Sequence, residues 1–265
     1  MAKLKGEFSF TGPLGNLSAY KRKDMDEIIL RQKGGPTGKQ IKEDPAFDVT
    51  RRNNAEFGGR GTSSKYIRKA IQPVRNLANS NFTAQLVKLV GAFLVLDTES
   101  DFGKRNYEFT KNPQLFDGFN LNKGVFFDTI VRNPVHATIS RDTISASADI
   151  PALLPGINFK VPGKHALFCI IASLGYLPDL AYNGNEYTPI AGNVTNTIVV
   201  EAATEWRPVH KRSPAARLEL ALPLPKLSDN SSLLLSIGIR FGIVGDANTV
   251  QQEPDAGAAK ILMAV

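Results

Sequence analysis

Apolar and polar positions along the chain follow three successive periods. Residues 7–32 hold short alternating runs, Glu7-Phe-Ser-Phe10, Leu17-Ser-Ala-Tyr20 and Glu27-Ile-Ile-Leu-Arg31. They are broken by Thr11-Gly-Pro-Leu-Gly15 and by Lys21-Arg-Lys-Asp-Met-Asp26. Alternation bounded by turn residues predicts a small meander of two or three strands with a charged hairpin. A sheet of that size needs a helix or a second sheet against it.

From residue 44 the period lengthens. Asp44 is suited to cap a helix and Pro45 to occupy its first position, with Asp44 and Asp48 near the positive end of the helix dipole. A stripe at helical spacing follows: Phe57, Gly61, Ser64, Ile67, Ile71, Val74 and Leu77 or Ala78. Gly58, Gly59 and Gly61 each cost about 1 kcal/mol relative to alanine inside a helix. They predict either a break between two helices or a backbone brought close to another element. Pro73 predicts a kink or division, and Asn79 or Ser80 a cap for a second helix carrying Leu86, Leu89, Val90, Phe93 and Leu94.

After about residue 125 the apolar residues alternate again. Runs at 135–140, 143–150, 165–172, 197–203, 217–222, 233–241 and 258–265, separated by Pro and Gly turns, predict about seven strands. Arg141-Asp142 marks a tight hairpin between the first two. The expected fold class is α+β: a small N-terminal β-meander, two helices, one of them kinked or broken, then a C-terminal antiparallel β-sandwich. The expected divisions are 1–97 for the basic meander and helical region, 98–124 for a linker or long loops rich in Asn, Gly, Asp and Lys, and 125–265 for the sandwich.

Charge adds an asymmetry. The net formal charge is +7, yet residues 1–80 hold sixteen Lys and Arg against eight Asp and Glu, a balance of +8, and the remainder is near neutral. A basic block of this kind suits phosphates, an acidic partner or a membrane surface, or is simply a solvated face. Arg51, Arg52, Arg60, Lys65, Arg68, Lys69 and Arg75 share one helical region but spread around its circumference, without a known nucleic-acid reader motif. No apolar stretch of about 18 residues occurs, so no spanning helix is expected. The amino terminus lacks the apolar run of a secretory signal, which suits a cytoplasmic or an already processed protein.

Candidate chemistry is sparse. Lys33-Gly-Gly-Pro-Thr-Gly-Lys39 is one residue short of the phosphate-loop spacing, and Gln40 stands where a hydroxyl would hold Mg²⁺, so a turn is the expected reading. His136, His165 and His210 are isolated in sequence, and one cysteine, Cys169, cannot build a thiolate site; it reads as a small buried thiol. No GxSxG elbow occurs. The cluster Asp97-Thr-Glu99-Ser-Asp101 reads as the polar end of the second helix rather than a cation site. No catalytic residue, cofactor, metal or small-molecule substrate is therefore assigned. The stretch Phe47, Arg51, Arg52, Asn53, Phe57 and Arg60 combines apolar area with forked donors and suits a protein-docking surface. An internal role, with Phe57 packed inward, remains the alternative.

Several of these segments together carry a resemblance. Gly15-Asn-Leu-Ser-Ala-Tyr-Lys21, Lys33-Gly-Gly35, Ile41-Lys-Glu-Asp-Pro-Ala-Phe47, Thr50-Arg-Arg-Asn53, Glu56-Phe-Gly58 and, later, Leu115-Phe-Asp-Gly-Phe119 resemble a widespread Bacteroidetes family that includes the Plug subunit of the type 9 secretion translocon. The likeness is strongest over residues 1–80. It implies a non-enzymatic plug or gating subunit, periplasmic and peripheral to the outer membrane, whose partner is the outer-membrane translocon barrel. The alternative expectation is a cytoplasmic or phage-related protein that is structural or binds nucleic acid through its basic N-terminal third.

Overall fold

The computed structural model describes residues 2–4, 10–23, 25–192, 198–245 and 249–265. They form an α+β chain that divides into two compact units, Met1–Arg51 and Arg52–Val265. The division lies well before residue 97, because the helices belong with the large sheet.

The first unit holds a four-stranded antiparallel sheet of β1 (Ala2–Leu4), β2 (Gly12–Leu14), β3 (Leu17–Lys21) and β4 (Ile28–Gln32), in the order β1-β4-β3-β2. The run at 17–20 and the run at 27–31 are strands as expected. The run at 7–10 lies, except for Phe10, outside the described residues. Gly12-Pro-Leu14, expected as a break, is instead a strand that folds back through Gly15-Asn16, with Gly15 at φ 55°. Glycine there supplies the positive φ that a two-residue hairpin turn demands.

A short helix, α1 (Gly38–Glu43), follows. Thr37 accepts from the backbone N–H of Gln40 at 3.2 Å, and the Gln40 side chain accepts from that of Thr37 at 2.7 Å. Gln40 thus completes a capping box. Asp44 caps a 3-10 turn at Pro45–Phe47, accepting from the N–H of Ala46 at 2.9 Å, and the turn runs into α2 (Asp48–Ala70).

In the second unit α2 continues unbroken through its three glycines. A side chain at Gly59 would lie 2.6 Å from the Tyr187 ring and 2.7 Å from that of Tyr107, whereas Gly58 and Gly61 face open space. Close approach therefore explains Gly59 alone; nothing in the structure requires glycine at 58 or 61. Pro73 does divide the segment: a 3-10 helix at Gln72–Leu77 separates α2 from α3 (Phe82–Leu96), whose N-cap position is Asn81 rather than Asn79 or Ser80.

Beyond a single turn, α4 (Phe127–Ile130), the strands are β5 (His136–Ser140), β6 (Ser145–Ile150), β7 (Leu167–Pro178), β8 (Leu180–Tyr182), β9 (Tyr187–Pro189), β10 (Val199–Ala203), β11 (Arg207–Pro208), β12 (Ala216–Ala221), β13 (Ser231–Val244) and β14 (Val250–Ala264). Each of the seven predicted runs is among them. A five-stranded antiparallel sheet has the order β10-β7-β13-β14, with β11 also paired to β7, and a three-stranded sheet has the order β12-β6-β5. The β5–β6 hairpin turns through four residues, 141–144, with Ile144 buried at φ 49°.

One face of the five-stranded sheet meets the three-stranded sheet over Phe168, Ile170, Leu174, Leu235, Ile237 and Phe241 together with Ala148, Leu218 and Leu220. The opposite face, with Ile171, Leu177 and Leu234, meets α2, the 3-10 helix and α3 through Ile67, Val74, Leu86 and Val90. The central strands are consequently apolar at nearly every position, as strands covered on both sides must be.

Residues 98–124 are not a linker. Tyr107, Phe109, Phe116 and Leu121 are fully buried in the helix-side core, and the backbone of Tyr107 exchanges hydrogen bonds with Leu180 at 2.8 and 3.0 Å. Asp179 anchors the loop further by accepting from Thr110. The polar composition of this segment belongs to its exposed positions, between which the aromatic residues reach inward. No helix among the described residues is long and apolar enough to cross a membrane.

Candidate functional site

Helix α2 separates the expected docking residues. Phe47 is half-buried in the 3-10 turn, and Arg51 donates to the carbonyls of Ile41 at 2.9 Å and Asp44 at 2.8 Å, beside Asp48 at 3.5 Å. Arg51 is thereby committed to the corner between α1 and α2, within the first unit. In the second unit Arg52 and Asn53 are exposed, and Phe57 is 68% exposed. Inward packing of Phe57 is overturned, as is that of Gly61, whereas Ser64, Ile67, Ile71, Val74 and Leu77 of the expected stripe are buried; toward its N-terminal end the buried side of α2 runs instead over Glu56, Gly59 and Ser63. Arg60 is half-buried, with its guanidinium carbon 3.0 Å from where a Cβ at Gly91 of α3 would stand.

The inward register of Glu56 creates an ion pair that the sequence pattern did not reveal. Its carboxylate accepts from Arg105 Nε at 2.7 Å and Nη2 at 2.6 Å, and from the backbone N–H of Gly103 at 2.8 Å. Burial disfavours the charged carboxylate, but the hydrogen bonds from Arg105 and Gly103 and the charges of Arg105 and Arg60 outweigh it. The Glu56 carboxyl is held below its ordinary range. Tyr107 donates its hydroxyl to the Glu56 carbonyl at 2.7 Å, and Tyr187 to the Arg105 carbonyl at 2.9 Å. Burial pushes both phenols up, so they remain neutral donors. The available signal was the pair of small residues Gly59 and Ser63, at i+3 and i+7 from Glu56, which marks the side of α2 that another element approaches.

This ion pair stiffens a surface. Arg105 lies 5.5 Å over the ring of Phe102, which is 40% exposed, and Gly103 sits against the stem of Arg52. Phe102 thus adjoins a fixed salt bridge, and exposed Phe57 follows Glu56 directly on α2, with Arg52 and Asn53 about one turn earlier.

The far end of α2 has a different chemistry. Lys65, Arg68, Lys69, Gln72 and Arg75 line a cavity of about 330 Å³. Four of the seven cations expected to spread around the helix circumference therefore share one stripe, at i, i+3, i+4 and i+10.

Three further polar features, Asp97, His165 and Cys169, have structural partners. Asp97 closes α3 by accepting from the backbone N–H groups of Glu99, Ser100 and Asn106, at 3.0, 3.0 and 2.7 Å. Burial opposes its charge, but these bonds prevail and hold its carboxyl below the usual range. His165 lies 2.9 Å from Glu253 and stacks on Phe241 at 4.4 Å, and the Cys169 thiol is buried, 3.1 Å from the carbonyl of Thr204. Among the described residues no group of three His, Cys, Asp or Glu converges as a metal site. No protein-family model, no curated protein and no solved structure matches the chain.

Proposed function

We propose that the protein is a non-enzymatic docking subunit that closes a secretion channel by seating a rigid face of its second unit against the channel wall. The observation that carries this reading is the fixed Glu56–Arg105 bridge, with partly exposed Phe102 against its arginine and exposed Phe57 next to its glutamate on α2. Exposed aromatic residues on a stiff support lose little conformational freedom when covered, and aromatic and arginine side chains dominate binding energy at interfaces. Arg52 and Asn53 supply polar contacts at the rim.

The resemblance of residues 1–80 to the Plug family names the partner: the barrel of a type 9 translocon, approached from the periplasm. A purified barrel in a planar bilayer tests this. Addition of the protein is expected to lower conductance, and Phe57→Asp with Phe102→Asp to abolish the block while leaving the melting temperature within about 2 °C, as surface changes should. Unaltered conductance, or a block indifferent to both substitutions, would refute the reading.

A further inference from the structure

We infer that the cavity lined by Lys65, Arg68, Lys69, Gln72 and Arg75 binds a small ligand bearing two or more phosphate groups. Residues 57–96 contain no Asp or Glu, and among the described residues none of the four cations has a carboxylate within ion-pair distance. Like charges gathered around one space repel each other, and a bound polyanion removes that repulsion. The carbonyl end of a helix attracts cations, which accounts for Arg68 and Lys69 in the last turn of α2. It does not account for Lys65, a turn earlier, or for Arg75, beyond the helix on the 3-10 segment.

The chemistry of the lining selects the ligand. Arg68 spends its Nε on the Ser64 carbonyl at 3.2 Å, which fixes the guanidinium and leaves its terminal nitrogens for forked contact with phosphate oxygens. Lys69 lies 5.8 Å over the Tyr66 ring, so its stem is also oriented. Four cations exceed what a single phosphate neutralises. A depression of about 330 Å³ has room for a di- or triphosphate. The five lining side chains present no aromatic face, so recognition falls on the phosphate chain and not on a base.

This site is independent of the proposed docking face, and its test is separate. Tripolyphosphate, pyrophosphate and orthophosphate are titrated calorimetrically into the full chain at about 0.15 M salt, where exposed charges are largely screened. One-site binding is expected, with tripolyphosphate at least about tenfold tighter than orthophosphate, since each added charge-assisted contact contributes about that factor. Arg68→Gln with Lys69→Gln should weaken tripolyphosphate by about a hundredfold on the same arithmetic. Lys88→Gln, which removes one charge from the exposed side of α3, should change it less than about twofold, as a remote screened charge would. Melting curves of each variant separate lost binding from lost folding, and Phe57→Asp should leave the titration unaltered. The inference fails if tripolyphosphate does not bind, if Lys88→Gln weakens it as much as a cavity substitution, or if a single-stranded oligonucleotide binds more tightly through the same four cations.

Discussion

The two faces of the five-stranded sheet leave different amounts of room for what covers them. Toward the three-stranded sheet, β7 and β13 present Phe168, Ile170, Leu174, Leu235, Ile237 and Phe241, which interdigitate with the facing strands. Toward the helices the same strands present Ile171, Leu177 and Leu234, but among these stand Ser173 and Gly175 on β7, and Ser232, Ser236 and Gly238 on β13. Two sheets pack through large side chains about 10 Å apart. A helix end laid against a sheet needs room at particular points, and here small residues supply it. A Cβ at Gly175 would lie 2.0 Å from the carbonyl oxygen of Ala70, and one at Gly238 2.6 Å from Leu77.

That contrast predicts opposite vulnerabilities. Gly175→Ala should have the largest effect, because the added methyl meets helix backbone that cannot rotate away. A loss of about 4 kcal/mol is expected, beyond the usual range for overpacking. Chemical denaturation of the full chain reads it, and a loss below about 1 kcal/mol would mean that the helix end is free to shift. On the other face the damaging change is truncation: Leu235→Ala should cost about 3 kcal/mol through the cavity it leaves. A near-neutral result would show that the two sheets can collapse toward each other.

The ion pair beside α2 comes next. Glu56→Gln should cost about 2 kcal/mol at neutral pH, because it leaves the Arg105 charge partly buried and unmatched while retaining a hydrogen-bond acceptor. The sign of the pH dependence follows from the lowered carboxyl pKa. The native state binds this proton less readily than the unfolded chain, so the stabilisation is complete above the ordinary value of 4.5. It declines as pH falls below 4.5 and is lost once pH has passed through the lower folded value. The difference between wild type and Glu56→Gln in urea midpoints should therefore close on acidification; a gap that persists through the carboxylate range would assign it to packing.

Much of this architecture was legible in the order of residues. Asp44-Pro45, Pro73 and the seven apolar runs mark a capped helix start, a helix division and the sandwich strands, because caps, prolines and alternation act locally. Three features were not legible. The contact of the sheet with the helices has no mark in the sequence, because Gly238 interrupts nothing in the alternation of 233–241 and Gly175 lies beyond the run at 165–172, in a strand that continues to Pro178. Residues 98–124 looked like loops because their buried aromatics are spaced by polar residues and take their hydrogen bonds from β8 and β14, far away in sequence. The stripe from Ser64 to Leu77 was legible, but its N-terminal end was not: Phe57 is the more hydrophobic residue, yet Glu56 faces inward because it meets its partner, Arg105. The inward position of Glu56 therefore rests on a pairing 49 residues distant, and it leaves Phe57 exposed, in keeping with the docking role and against the inward alternative.

The smallest expected effect is the most specific to the helix side. Ser173 and Ser236 are register partners on β7 and β13, both fully buried, and neither hydroxyl has a hydrogen-bond partner among the described residues. Burying an unsatisfied hydroxyl costs about 1–3 kcal/mol, and alanine removes that cost while opening a space smaller than a methylene. Ser173→Ala with Ser236→Ala should therefore leave stability unchanged or raise it by up to about 1 kcal/mol, whereas truncations on the sandwich side only destabilise. The serines are retained for size: valine at either position should destabilise where alanine does not, because the constraint on this face is the distance to the helix layer. If alanine at both positions lowered the urea midpoint as far as Leu235→Ala does, the two faces would differ in polarity and not in the room they leave.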